Sequence, residues 1–223
     1  MIARAEWLRE KRHMCEVRMD TLFAPDYDAQ WGVINPTHRR MVERLLSLCP
    51  PDAVILDAAC GTGKYWQIIL NAGRSLRGID QSAGMLAHSR DKYPDVPVRK
   101  LGMQELDDIA LYDAIICVDA MENVFPEDWP RVLRNFYRAL KPGGYLYLTV
   151  ELADQREIDA SYAASLELGY LVVGGEWAHD GGYHYYPALE QVRAWFTGAG
   201  FDVLTDGEGD GYAHYICWRT NGL

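Results

Sequence analysis

Two carboxylates end two successive apolar runs: Asp57 follows Val54-Ile55-Leu56, and Asp80 follows Leu76-Arg77-Gly78-Ile79. Between them Gly61 and Gly63 bracket a tight turn, and a helical pattern begins at Lys64. A buried strand, a glycine loop and a helix let backbone approach a nucleotide-like ligand closely. An acid at the end of the next strand is where open α/β folds hold a ribose diol. The residues therefore point to an adenosine-type cofactor.

Spacing narrows the choice. A phosphate-cradling loop needs GxxxxGK[ST], and Gly61-Thr62-Gly63-Lys64 lacks it. A dinucleotide loop needs a small residue where this chain has Trp66, and its pyrophosphate would be repelled by Asp57.

Four segments in order carry a resemblance: Leu56-Asp57-Ala58-Ala59-Cys60-Gly61-Thr62-Gly63, Gly78-Ile79-Asp80-Gln81-Ser82-Ala83-Gly84-Met85-Leu86, Tyr112-Asp113-Ala114-Ile115-Ile116-Cys117, and Leu140-Lys141-Pro142-Gly143-Gly144. With them the chain resembles the class I S-adenosylmethionine-dependent methyltransferases over roughly residues 37–219. That cofactor has no phosphate, so an acid beside the glycine loop is tolerated. The resemblance implies that Asp57 holds the ammonium through water, that Gly61 and Gly63 pass beneath the adenosine, and that Asp80 accepts from the ribose hydroxyls. It places Gln81 and Met85 near the adenine and backbone carbonyls near Ala58 and Val118 at the methionine end. Met103 or Gln104 stands where many members hold the adenine amino group, here without an Asp. Tyr27 and Trp31, in Tyr27-Asp28-x-x-Trp31, resemble the family's lid over cofactor and acceptor.

Methyl transfer from a sulfonium is an in-line displacement. The cofactor carries the activation, the protein aligns the reactants and excludes water, and no metal is required. A general base adds roughly 10²- to 10⁴-fold where the nucleophile must lose a proton. After the fourth strand Glu122 is an acid and Asn123 a hydrogen-bonding group at a substrate-facing place of the family. The segment from Glu176 to Pro187 is crowded with Trp177, His179, Asp180, Tyr183, His184, Tyr185 and Tyr186. His179 and His184 are candidate bases near neutral pH. Trp177, Tyr183 and Tyr186 are candidate acceptor walls, although an ordinary aromatic hairpin reads equally well. His38 reads as a capping or surface group and His214 as structural on an edge strand.

These residues need elements to position them. Strands are expected at about 53–57, 75–80, 96–100, 112–118, 144–151, 201–206 and 212–219, and helices at about 2–22, 37–48, 63–72, 83–91, 128–140, 154–168 and 188–198. Strand–helix alternation implies a doubly wound α/β, Rossmann-like sheet of about seven strands, mostly parallel, with an antiparallel last strand. The short Gly207–Gly211 loop requires that antiparallel pairing and puts it at the sheet edge. One domain, 1–223, is expected, with N-terminal helices and lid over 1–50 and a substrate-cap insertion over 152–187.

The bulk numbers set outer bounds. A formal charge of −10 disfavours nucleic acid as a partner. The mixed charges of the first helix read as a solvated face. Five scattered cysteines without CxxC spacing suit reduced thiols and a cytoplasmic setting. No window approaches the roughly 18 apolar residues of a membrane span. The expected function is methyl transfer from S-adenosylmethionine, giving S-adenosylhomocysteine, to an oxygen or nitrogen of a small, aromatic-compatible acceptor. The alternative is a non-catalytic cofactor-binding module of the same fold. Acceptor identity and oligomeric state are not encoded legibly.

Overall fold

Each apolar run becomes a strand and each 3.6-residue pattern a helix in the computed structural model, which describes residues 3–179 and 182–220. Helix α1 (Arg4–Arg18) widens into a π-type turn at Met19–Phe23 and passes through a 3-10 turn at Ala24–Asp26 into α2 (Tyr27–Trp31) and α3 (Pro36–Leu48). Then follow β1 (Val54–Ala58), α4 (Trp66–Asn71), β2 (Ser75–Asp80), α5 (Ala83–Lys92), β3 (Val98–Lys100) and β4 (Tyr112–Cys117). The chain continues through α6 (Trp129–Ala139), β5 (Leu140–Glu151), α7 (Gln155–Glu167), a hairpin of β6 (Glu176–His179) and β7 (Gly182–Tyr185), α8 (Leu189–Ala199), β8 (Phe201–Gly209) and β9 (Tyr212–Arg219).

The seven-stranded sheet has the order β3-β2-β1-β4-β5-β9-β8. Neighbours from β3 to β5 pair in parallel, and β9 runs antiparallel to both β5 and β8. The antiparallel strand is therefore interior and β8 is the edge, which corrects the sequence expectation. Sequence shows that two strands pair, but not which of them slides between its partner and the rest of the sheet. The connection is also tighter than expected. Strand β8 runs to Gly209, leaving only Asp210 (φ 54°) and Gly211 (φ 84°) as a two-residue turn. Both central residues have positive φ, the turn that matches strand twist.

Side chains alternate across the sheet with period two. Leu56, Ile115, Leu146 and Leu148 pack with Trp129, Val132 and Phe136 of α6 and Val192 and Phe196 of α8. Ile55, Ala114, Ile116 and Tyr147 face the other way, against Val42 and Leu45 of α3 and Trp66 and Ile69 of α4. Helices on both faces bury nearly all of the central parallel strands β1 and β4. His38 and His214 lie in this interior at 1% exposure each, their rings 5.1 Å apart. His38 is thus neither a cap nor a surface group, because α3 turns that face onto β9. The first helix is not a free solvated face either. Arg4 pairs with Glu127 and Glu176, Arg12 with Asp128, and Lys11 donates to the His179 carbonyl at 3.0 Å.

Candidate active site

Strands β2 and β3 lie to one side of β1, and β4 and β5 to the other. In such sheets a ligand crevice opens outside the carboxyl ends where the order reverses. Here that is between β1 and β4. The backbone departs from ordinary geometry on both of its lips: Ala59 follows β1 with φ 61°, and Asp119 follows β4 with φ 57°. A non-glycine residue in that region costs on the order of 1–3 kcal/mol and clusters at functional sites.

Gly61 (φ 52°) and Gly63 (φ 81°) form the turn over β1. A side-chain carbon on Gly63 would meet the Trp66 indole at 2.7 Å, whereas one on Gly61 would meet no protein atom within 4 Å. Space above Gly61 is what a ligand lying on the loop requires. The loop is tied to β2 by Cys60 N–H donating to the Ile79 carbonyl at 2.9 Å.

Asp80 points back into this turn. Its Oδ2 accepts from the Gly61 amide at 2.8 Å and its Oδ1 from the Ser82 amide at 2.7 Å. Burial raises its pKa, and those amides, with that of Gln81, pull against the shift. Asp57 is 3% exposed, and its Oδ2 accepts from the Trp66 indole N–H at 2.8 Å. Burial pushes its pKa up to about 7, against the indole bond, with the Asp80 charge adding to the rise. Ala58 and Val118 are buried where β1 ends and just past β4, and Gln81 is half-buried beside Asp80. Met85 is 1% exposed, in the first turn of α5. Met103 and Gln104 are buried in a 3-10 turn, both carbonyls held by Asn135 Nδ2 at 3.0 Å.

The lid closes over this loop through two aspartates that sequence reasoning passed over. Asp28 Oδ1 accepts from Thr62 Oγ1 at 2.5 Å, and its Oδ2 pairs with Lys92 Nζ at 2.6 Å. Asp20 Oδ1 accepts from Ser82 Oγ and from the Gly84 amide, 2.9 Å away. Tyr27 reaches the crevice: burial, then the charges of Asp119, Glu122 and Asp80, raise its pKa. Trp31 is 40% exposed and packs its ring, tilted, against Tyr27 at 5.4 Å, so it supports this segment from outside.

The hairpin forms the opposite wall, and its alternation divides the candidates. Glu176, Ala178, Tyr183 and Tyr185 are buried, while Trp177, His179, His184 and Tyr186 share the less buried face. Tyr183 therefore faces the core and not an acceptor, which corrects its assignment. Its hydroxyl donates to Glu176 Oε1 at 2.5 Å and its ring meets Phe125 edge-on at 4.5 Å. The two histidines also part. His184 Nδ1 lies 3.1 Å from Glu151 Oε2 at the end of β5, whereas the His179 ring lies tilted against Trp177 at 4.5 Å at the end of β6. Asp180 lies outside the described residues.

Glu122 is 5% exposed, and Asn123 Nδ2 donates to its Oε1 at 2.8 Å. Burial first, then the charges of Asp119 and Glu151, push it well above the usual carboxylate range. Asp119 accepts from the Tyr212 hydroxyl, and its amide donates to Thr149 Oγ1 at 2.8 Å. Asp119, Glu151 and Tyr212 were not singled out in the sequence. Asp119 and Glu151 obey the strand-end rule that flagged Asp57 and Asp80, and it could have found them.

A family model described as a methyltransferase domain matches residues 55–144. Malonyl-acyl-carrier-protein O-methyltransferase of Pectobacterium atrosepticum is 34% identical over 110 residues, which cover 47% of this chain and 42% of that protein. The chain thus spans less than half the length of that relative. Ubiquinone biosynthesis O-methyltransferase of Pseudomonas entomophila is 27% identical, the match covering 76% of this chain and 72% of the relative. Among solved structures, the fold matches a Burkholderia thailandensis 1,6-didemethyltoxoflavin-N1-methyltransferase with bound 1,6-didemethyltoxoflavin and S-adenosylhomocysteine. Its TM-score is 0.72 at 14% identity, covering 99% of this chain and 92% of that one. A magnesium protoporphyrin IX methyltransferase from Synechocystis with bound S-adenosylhomocysteine matches with TM-score 0.69 at 15% identity, covering 94% and 100%.

A doubly wound sheet with a carboxylate-lined crevice at its switch point is the fold of these solved methyltransferases, and residues 55–144 carry the sequence match to a methyltransferase domain. The chain is thus similar to S-adenosylmethionine-dependent methyltransferases in fold and to O-methyltransferases in sequence.

Proposed function

We propose that the chain methylates an oxygen or nitrogen of a small molecule held between the lid and the β6–β7 hairpin. The cofactor fits the residues present. Gly61 leaves open space on the loop, Asp80 offers carboxylate lone pairs beside it, and Asp57 offers a second carboxylate near Ala58. When bound, it supplies an activated methyl group on a sulfonium whose carbon–sulfur electron pair leaves with the sulfur. Asp80 holds the ribose, Asp57 faces the ammonium, and Tyr27 covers the methionine end. Gln81, Met85, Met103 and Gln104 enclose the adenine.

The observation that carries the acceptor side is the His184–Glu151 pair on the outer face of the hairpin. Glu151 accepting from Nδ1–H fixes the tautomer and leaves Nε2 free to take a proton. As the acceptor atom bonds to the methyl carbon, its proton passes to His184 Nε2. Trp177 and Tyr186 flank that imidazole at 5.6 and 5.9 Å and offer flat faces to an aromatic acceptor. Relatives named as O-methyltransferases and a fold neighbour named as an N1-methyltransferase support both target atoms.

The test is release of S-adenosylhomocysteine across a panel of phenols and amines. His184→Ala should lower kcat by roughly 10²- to 10⁴-fold with unchanged cofactor affinity, and His179→Ala should not. Cofactor binding without turnover on any acceptor would instead indicate a binding module.

A further inference from the structure

Among the described residues, one carboxylate oxygen on the acceptor side of the crevice lacks a counterpart. Glu122 Oε1 takes the Asn123 amide, but its buried Oε2 has no hydrogen-bond partner among the described residues. Such an atom forfeits hydration without compensation, typically about 1–3 kcal/mol or more. Native sites keep one where a ligand completes the bonding.

The surroundings say what kind of ligand. The Glu122 charge is felt by the phenols of Tyr27, Tyr186 and Tyr212, which come from the lid, the hairpin and β9. Its own charged neighbours are Asp119 and Glu151, both acidic. Neighbouring basic groups are engaged elsewhere: His184 is bonded to Glu151, and Lys64 lies beside Asp119 with its Nζ 5.7 Å from the Tyr65 ring. Acids and aromatic rings without a matching protein cation make a receptor for positive charge. A metal ion is a poor occupant: among the described residues no group of three His, Cys, Asp or Glu could hold one.

Resting on the methyl-transfer reading above, we propose that the acceptor is a small organic cation whose protonated amine donates to Glu122 Oε2, with Asp119 and Glu151 balancing its charge. An anionic acceptor would be repelled by these acids, and a neutral donor would reach Oε2 without balancing their charge, so the site favours the cation. Burial favours the protonated form of Glu122, and a seated ammonium pulls toward the ionised one.

Three phenethyl probes differing only in charge separate the outcomes: tyramine, 2-(4-hydroxyphenyl)ethanol and 4-hydroxyphenylacetate, titrated calorimetrically into the chain saturated with S-adenosylhomocysteine. Tyramine should bind at least about tenfold more tightly than either other probe. Glu122→Gln should erase the preference while still binding S-adenosylhomocysteine. Glu151→Gln, at a more exposed position, should weaken the preference as an independent check. Equal or tighter binding of the anion, no tyramine binding below about 10 mM, or a preference surviving both substitutions would overturn the proposal. Failure of the unmodified chain to bind S-adenosylhomocysteine would remove the methyl-transfer reading and this inference together. Intact cofactor binding without charge preference would overturn this inference alone.

Discussion

Trp66 decides how Asp57 can serve the cofactor. Among the described residues its indole N–H is the one side-chain donor to the buried Asp57 carboxylate, and a charged hydrogen bond of this kind is worth about 1.5–3 kcal/mol. Trp66→Phe keeps most of the volume and removes the donor. S-adenosylmethionine affinity, read by calorimetry, should fall about tenfold or more, and an unchanged value would show that Asp57 needs no such anchor. Asp80→Ala should abolish the thermal shift given by S-adenosylmethionine, because the same substitution frees the Gly61 and Ser82 amides and removes the proposed ribose acceptor. Both aspartates were legible, since an acid at the end of an apolar run marks a strand's carboxyl end. The size of Trp66 was legible and its hydrogen bond was not, because that bond depends on a side-chain direction. Tyr183 failed for a related reason. Period-two alternation was visible in the hairpin, but sequence does not say which of its two faces meets the core.

At the scale of elements, the lid is docked by contacts between segments far apart in the chain. Gly84 sits in the first turn of α5 where a side-chain carbon would meet Ala24 Cβ at 3.0 Å and the Asp20 carbonyl at 3.1 Å. Gly84→Val should therefore push the Met19–Asp26 segment off α5 and break the Asp20 bonds to Ser82 and Gly84. Limited proteolysis with mass spectrometry should show cleavage within residues 19–31 several-fold faster, with a cofactor affinity loss of about tenfold. Unaltered protection would mean that this contact does not hold the lid. Strands and helices were read within a few residues because each carries its own periodicity. The interior place of β9 and the docking of α1 onto Glu176 and Asp128 were not legible. Strand order and ion pairing join residues that no local pattern links, and the helix charges read equally well as a solvated face.

On the scale of the whole molecule, the net charge of −10 is not spread evenly. Asp57, Asp80, Asp119, Glu122 and Glu151 gather at one end of the sheet, the end proposed to take a sulfonium cofactor. This arrangement ties stability to pH with a definite sign. The folded chain raises Asp57 to about 7, chiefly by burial, and raises Asp80 and Glu122 as well. Between the unfolded carboxylate pKa near 4 and the folded value, the native state keeps protons that the unfolded chain has released. The associated stability is complete below about pH 4 and is lost as pH rises through about 7. His38 works oppositely: burial, aided by His214, depresses it to about 4, so its contribution is lost as pH falls from about 6.5 toward 4. Comparing variants isolates each group. The melting temperature of the unmodified chain minus that of Asp57→Asn should decrease steadily from pH 5 to about 7.5, whereas the difference against His38→Gln should increase from pH 4 to about 6.5. A bound cation favours the ionised carboxylates, so saturating S-adenosylmethionine should raise the melting temperature more at pH 7.5 than at pH 5.5. Equal shifts at the two pH values would separate the acidic end of the sheet from cofactor binding.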